Sequence, residues 1–357
     1  EIHGAPEHVL VLGVGAEDEA ADDGDAVVVD LLDGVAEIPR RGAQVDGLVH
    51  GADRLGIQRL RRDRLAVAGF GVVVFFVVIA VFAPILVQLL NIDPYELDRN
   101  AINEFGLPAG SLGGISFDHP LGVEPGTGRD ILGRLMYGAR ISLLVGTVGT
   151  VLTTVVGVVL GIVAGLRRGF VDSLISRIGD VTLAFPSLLL IIALANPMTQ
   201  RLESWGVPAG NTARLTYILS ILTIFGWVYV ARLVRGQVLS LRERDFVEAA
   251  RSFGAGTGHL VFKQLLPNLW PQIIVFVSLS LPGYVALEAT LSFLGVGLLA
   301  PAASWGIMLG DSVRYYRADP TYLFIPGTAL MILVLAFNLL ADGLRDAFDP
   351  RCDRQQL

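Results

Sequence analysis

Apolar residues gather into six runs near the length that crosses the hydrocarbon core of a membrane as helix, with polar, Arg-, Gly- and Pro-bearing stretches between them. The runs are 66–90, 141–166, 181–195, 215–233, 273–298 and 322–340. The third is short and contains Phe185-Pro186, and the fifth contains Leu281-Pro282-Gly283, so both are predicted to kink where proline removes a backbone hydrogen bond. Freed carbonyls inside a bilayer need neighbouring helices, which predicts a packed bundle. The fold class is all-α, a polytopic membrane protein with six transmembrane helices.

Composition agrees, with 53% hydrophobic and 17% charged residues and a positive mean hydropathy. The formal charge of −7 conceals two regions. Residues 1–53 hold 13 acids against Arg40 and Arg41, a balance of −11, which leaves +4 for 54–357. That acidic start has no sustained period and no basic flank before its first apolar stretch, so it reads as a disordered extension or as an upstream extension of the reading frame, and not as a signal peptide.

Arginine placement sets orientation. Arg54, Arg59, Arg61, Arg62 and Arg64 precede the first run, in a basic segment at 54–65, and Arg167 and Arg168 follow the second. Arg232, Arg235, Arg242, Arg244, Arg251 and Lys263 surround the loop at 236–270, and Arg345 and Arg351 lie in a tail at 344–357. Six spans put all of these on one side, which predicts cytoplasmic N- and C-termini. The loop at 91–140 falls on the other side with seven acids, and Arg134 and Arg140, close to a span, suggest an amphipathic interfacial segment. A core at 141–343 then carries five spans.

Gly157, Gly161 and Gly165 recur every four residues on one helical face. The stripe fits either a tight contact in a pore-forming bundle or ordinary small-residue helix packing. Glu288, inside the fifth run, costs at least a few kcal/mol at that depth unless paired, protonated or facing water, by about the amount typical of intramembrane carboxylates. It reads either as a residue of a translocation pathway, with Ser292 one turn on, or as an interhelical hydrogen-bond hub. Asp342 reads as interfacial, and Asn338 as a helix cross-link.

Several chemistries are excluded. The only lysine, Lys263, lies between Phe262 and Gln264, so no phosphate-cradling Gly-Lys-Ser/Thr loop exists and the chain cannot split ATP by that route. Gly13-Val14-Gly15 lacks the third glycine of a dinucleotide loop, there is no His-Glu-x-x-His motif, and no Gly-x-Ser-x-Gly elbow occurs. Cys352 is the sole cysteine, which rules out an intrachain disulfide. An enzyme is not expected, nor a metal, nor a nucleic-acid partner.

Four stretches carry a family resemblance: Glu248-Ala249-Ala250-Arg251-Ser252-Phe253-Gly254 ending on Leu265-Leu266-Pro267; His119-Pro120-Leu121-Gly122 continuing through Gly128-Arg129-Asp130-Ile131-Leu132-Gly133-Arg134 to Ala139-Arg140-Ile141-Ser142; Glu288-Ala289-Thr290-Leu291-Ser292-Phe293-Leu294-Gly295; and Asn338-Leu339-Leu340-Ala341-Asp342-Gly343 through Arg351. The chain resembles the inner-membrane permease, C-type subunit, of a dipeptide or oligopeptide ABC importer, over about residues 61–351. Nickel and related importers share these motifs.

The resemblance implies a type I importer permease fold in a bacterial inner membrane. It implies as partners a second, B-type permease, two ATP-binding subunits that hold ATP and Mg, an extracytoplasmic substrate-binding protein, and membrane lipid. It implies that a short coupling helix within 244–258 seats on an ATPase, with Glu248, Ala249, Ala250 and Arg251 at the groove, Gly254 ending the helix, and Pro267 and Pro271 redirecting the chain into the fifth span. Gln264 departs from the apolar residue usual there. The competing classes are a proton-coupled secondary transporter using Glu288 and a structural membrane scaffold.

Overall fold

The computed structural model describes residues 60, 61 and 63–348; the expectations for 1–53, for most of the basic segment and for residues 349–357 fall outside them. The described residues are helical with irregular connections and only isolated β-bridges, Ile102 with Pro108 and Val123 with Asp130.

Helix α1, Arg64–Leu89, starts where Asp63 accepts the Leu65 and Ala66 N–H groups at 2.9 and 3.3 Å. Helix α2, Ile131–Leu166, is capped by Asp130, whose Oδ1 accepts from the Gly133 N–H at 2.7 Å. It therefore begins ten residues before the apolar run at 141, and the loop end of the bundle closes at Asp130. The window missed this turn because Arg134 is charged. Arg134 is nevertheless fully buried, its Nε 3.4 Å from Glu124 and its guanidinium nitrogens each 3.4 Å from the carbonyl oxygens of Pro301 and Ala302. Arg134 is thus a core residue, whereas Arg140 is exposed.

After a turn through Gly169, the third apolar run is two helices, α3 Phe170–Ala184 and α4 Ser187–Ser204, bent by 85°. The predicted kink is a full break. Phe185, before the proline, is driven into extended backbone (ψ 138°), and Pro186 begins the next helix. Counting this pair once with the five long helices makes six spans.

Helix α5, Asn211–Leu241, leads to the short α6, Asp245–Ser252. Helix α7 then runs Thr257–Phe293, with a wide π turn at Leu260–Leu265. Pro267, Pro271 and Pro282 all lie within α7, so the chain is redirected at residues 253–256 and not at the prolines, and no break marks Pro282. Helix α8, Trp305–Ser312, lies on α7 and α9, and α9 is Thr321–Phe348, continuing beyond 343. Asp342 and Asn338 are both exposed on it.

The closest helix pair is α2 with α5. Gly157, Gly161 and Gly165 face Val230, Val234 and Val238, and a Cβ on Gly161 would come within 2.8 Å of both the Ala231 carbonyl oxygen and the Val234 Cβ. Between α1, α2, α8 and α9 the core centres on fully buried Trp305, whose ring meets Phe76 edge-on at 5.6 Å and whose indole N–H donates to the Leu135 carbonyl at 2.9 Å.

Candidate functional site

Three groups of polar residues stand out. The first is α6, at the end of the bundle opposite the 91–130 loop. Its sequence suits a short helix: Asp245 and Glu248 occupy the first turn and Arg251 the last, which complements the helix dipole at both ends. Val247 is fully buried among Val238, Leu260 and Leu265, with Ala250 half-buried beside it. The C-terminus closes by a Schellman pair: the Gly254 N–H donates to Arg251 O at 2.9 Å and the Ala255 N–H to Ala250 O at 3.0 Å. Gly254 sits at φ +81°, where an L side chain is strained.

Glu248, Ala249, Arg251 and Gly254 all face outward. Ala250 does not, because it packs inward on the α7 cluster; the two alanines play different parts. Pro267 is exposed but lies beyond the π turn, away from the short helix. Two residues that the motif does not single out join the outer face, Phe253 at 89% and Phe246 at 37% exposure. Their i, i+7 spacing around Ala249 was visible in the sequence, as aromatics stranded in an otherwise polar segment.

The second group is Glu288. Its Oε2 accepts from the Ser142 hydroxyl at 2.8 Å, and its Oε1 accepts from Ser292 at 2.9 Å and Ser304 at 2.8 Å. All four residues are buried, and Glu288 has no exposed surface. The Glu288 carboxyl therefore ties α2, α7 and the N-cap of α8 together through three serine hydroxyls. Ser142 and Ser304, distant in sequence, gave no signal of this.

The third group clamps the 91–130 loop. Glu124 accepts from the Tyr322 hydroxyl and from Thr127 Oγ1, and faces Arg134 and, at 3.8 Å, Arg129. His119 Nδ1 lies 2.9 Å from Asp130, the α2 cap. Asp311 of α8 sits nearby, where burial, and after it the Glu124 charge, hold its carboxyl above the usual range. A raised carboxyl favours the neutral form, so its contribution is full below the ordinary value of 3.8 and is lost as pH rises through the raised value. Asp311→Asn is expected to raise the melting temperature in detergent at pH 8 and to change it little at pH 3.5. An equal shift at both pH values would contradict this.

Comparison with known proteins places the chain in a family. Residues 157–354 match the model described as "Binding-protein-dependent transport system inner membrane component", and residues 54–106 match "N-terminal TM domain of oligopeptide transport permease C". The dipeptide transport system permease protein DppC of Bacillus subtilis is 38% identical over 83% of this chain and 85% of its own length. The oligopeptide transport system permease proteins OppC of Bacillus subtilis and Escherichia coli are 36% and 34% identical, each over 82% of this chain and over 88% and 89% of their own lengths. A solved chain of the inward-facing MetNI methionine ABC transporter is 21% identical with a TM-score of 0.49, covering 61% of this chain and 98% of that one. With more than half of its length matched by one family model, this chain belongs to the binding-protein-dependent transport system inner membrane component family.

Proposed function

We propose that this chain is one of two permeases in an ATP-driven importer of di- or oligopeptides, with α6 as its seat on an ATP-binding subunit. The observation that carries the coupling reading is the two-faced construction of α6. Its inner face is anchored to α7 through Val247 and Ala250, while Phe246, Glu248, Ala249, Arg251 and Phe253 are left open at the end of the bundle. A push on that face would pass directly into α5 and α7, which flank it. The names of the relatives favour peptides as cargo over nickel or another small solute.

Orientation follows from the basic residues. Arg64, Arg167, Arg168, Arg242, Arg244 and Lys263 gather at the α6 end, which supports a cytoplasmic α6 with both termini on that side of a bacterial inner membrane, in contact with its lipid. The 91–130 loop then faces out, toward a substrate-binding protein. The partner subunits hold ATP and Mg. Glu288, enclosed by three serines, is read as a residue that positions helices, not as one that meets the solute.

The test is uptake by the reconstituted transporter. Glu248→Lys changes an exposed residue and so leaves the fold intact, but it is expected to lower peptide uptake per ATP at least tenfold; Gly254→Asp adds backbone strain at the helix end and is expected to do the same. Import at the normal rate per ATP in both variants would defeat the coupling assignment. Uptake that follows the proton gradient instead of ATP would favour the secondary-transporter reading.

A further inference from the structure

The break between α3 and α4 falls level with the middle of α5. Gly179 of α3 lies against Val228, and the Tyr217 hydroxyl donates to the Ile191 carbonyl of α4 at 2.5 Å, so Phe185 and Pro186 stand between these levels. Residues 184–189 are exposed on this chain, and Pro186 gives α4 no side-chain cap. Backbone groups without helical partners at mid-membrane depth are tolerated only where they are buried in protein or line a water-filled cavity.

A recess of about 450 Å³ opens at this point, walled by the start of α4 and the middles of α5 and α7. Ser187, Tyr229, Ser280 and Tyr284 are its polar lining residues, with the Tyr284 hydroxyl turned toward Gly226 and Thr153 and the Ser280 hydroxyl donating to the Phe276 carbonyl at 2.8 Å, and Phe225 and Phe276 bring aromatic faces. No residue lining it is charged. Gly226 makes room for the Tyr284 hydroxyl, which stands where a Cβ would be. On α7 the lining positions Phe276, Ser280, Gly283, Tyr284 and Leu287 form one stripe, centred about a quarter of a turn round the helix from Glu288.

We propose that this recess is the mid-membrane wall of the peptide passage contributed by this chain, with its hydroxyls and the open α4 backbone offering hydrogen bonds to peptide amide groups. The inference rests on the importer reading above. An uncharged lining suits cargo whose side chains differ in sign, because passage needs binding strong enough to enter and weak enough to leave. A fixed charge would retain one class of peptide and repel another. Glu288 lies on an adjoining face of α7, and its carboxyl is turned to Ser142, Ser292 and Ser304.

Cys352 is the sole cysteine of this chain, so Cys352→Ser frees the chain of thiols, and labelling in the assembled transporter is read on this chain after separation of the subunits. In that background Ser280→Cys and Tyr229→Cys place thiols in the recess, and Val81→Cys, 64% exposed on α1, supplies a comparison in the apolar belt. A charged, membrane-impermeant methanethiosulfonate reagent is expected to modify the recess thiols at least tenfold faster than Cys at 81, and a transported dipeptide with ATP is expected to slow that modification severalfold. Rates equal to that of the α1 control, or modification that the dipeptide leaves unchanged, would overturn the proposal. The importer reading is tested separately by the complex carrying Cys352→Ser, which must show ATP-dependent dipeptide uptake; failure there, with the unaltered complex also failing, overturns that reading whatever the labelling shows.

Discussion

Replacing Gly165 by alanine is expected to destabilise the bundle by about 1–3 kcal/mol, the usual cost of forcing one extra group into a filled core. A Cβ there would lie 2.6 Å from Val238 Cγ1 and 2.7 Å from Val238 Cβ, and within 3.3 Å of the Arg235 carbonyl oxygen. Val238 is fully buried and β-branched, so its rotamer cannot swing away. The helices must separate, and the Arg242 guanidinium, which donates to the Gly165 carbonyl at 2.7 Å, would lose its partner as they do. Leucine at Gly161 or Gly165 is expected to prevent assembly.

Two comparisons make this prediction sharp. Gly236→Ala, on α5 beside Val238 but with nothing within 4 Å of its Cβ, is expected to be neutral or stabilising by up to about 1 kcal/mol, the helix propensity gained. Adding Val238→Ala to Gly165→Ala removes the clashing side chain and is expected to recover part of the loss. Thermal melting of the detergent-purified chain or complex reads all three. A Gly165→Ala protein as stable as the parent would show that α2 and α5 do not meet at this stripe.

The second large effect is expected at Glu288. Leucine there leaves three buried serine hydroxyls without their acceptor, and each unmet buried polar group costs about 1–3 kcal/mol. Ser142 and Ser292 can turn to carbonyls one helical turn back, whereas the Ser304 oxygen only accepts from the Gly306 N–H at 3.2 Å and its O–H is left without an acceptor, so the net loss is expected near 3 kcal/mol, on the order of one full unsatisfied group. Glutamine keeps one carbonyl acceptor, and a serine hydroxyl can accept from its amide, so Glu288→Gln is expected to cost about 1 kcal/mol, the scale of one altered hydrogen bond.

The decisive readout is uptake set beside stability. If Glu288 positions helices, Glu288→Gln assembles and transports at near the parental rate, while Glu288→Leu and a Ser142→Ala, Ser304→Ala double variant lose stability together. Abolished uptake by Glu288→Gln with an unchanged melting temperature would instead place the carboxylate in the transport step.

Much of the molecule is legible in its sequence. The six apolar runs follow from local transfer free energy, which a window of about 20 residues can sum. The Phe185-Pro186 break follows from a steric rule between adjacent residues. The glycine stripe and the ending of α6 at Gly254 are equally local, being matters of helical spacing and of one backbone angle.

What sequence alone determined, then, is what depends on neighbours along the chain: spans, the proline break, the glycine face, and a segment of α6 whose resemblance pointed to its family. Tertiary structure alone decided what depends on distant partners. It made Arg134 a core residue and so began α2 at Ile131, because Glu124 and two carbonyls near residue 301 neutralise a charge that hydropathy counts as exposed. It turned Ala250 inward and Ala249 outward, because Leu260 and Leu265 lie on one side of α6. It enclosed Glu288 with Ser142 and Ser304, 146 and 16 residues away, and opened the recess on an adjoining face of the same helix. The cost of a buried polar group is set by the groups that surround it, and these come together only when the chain folds.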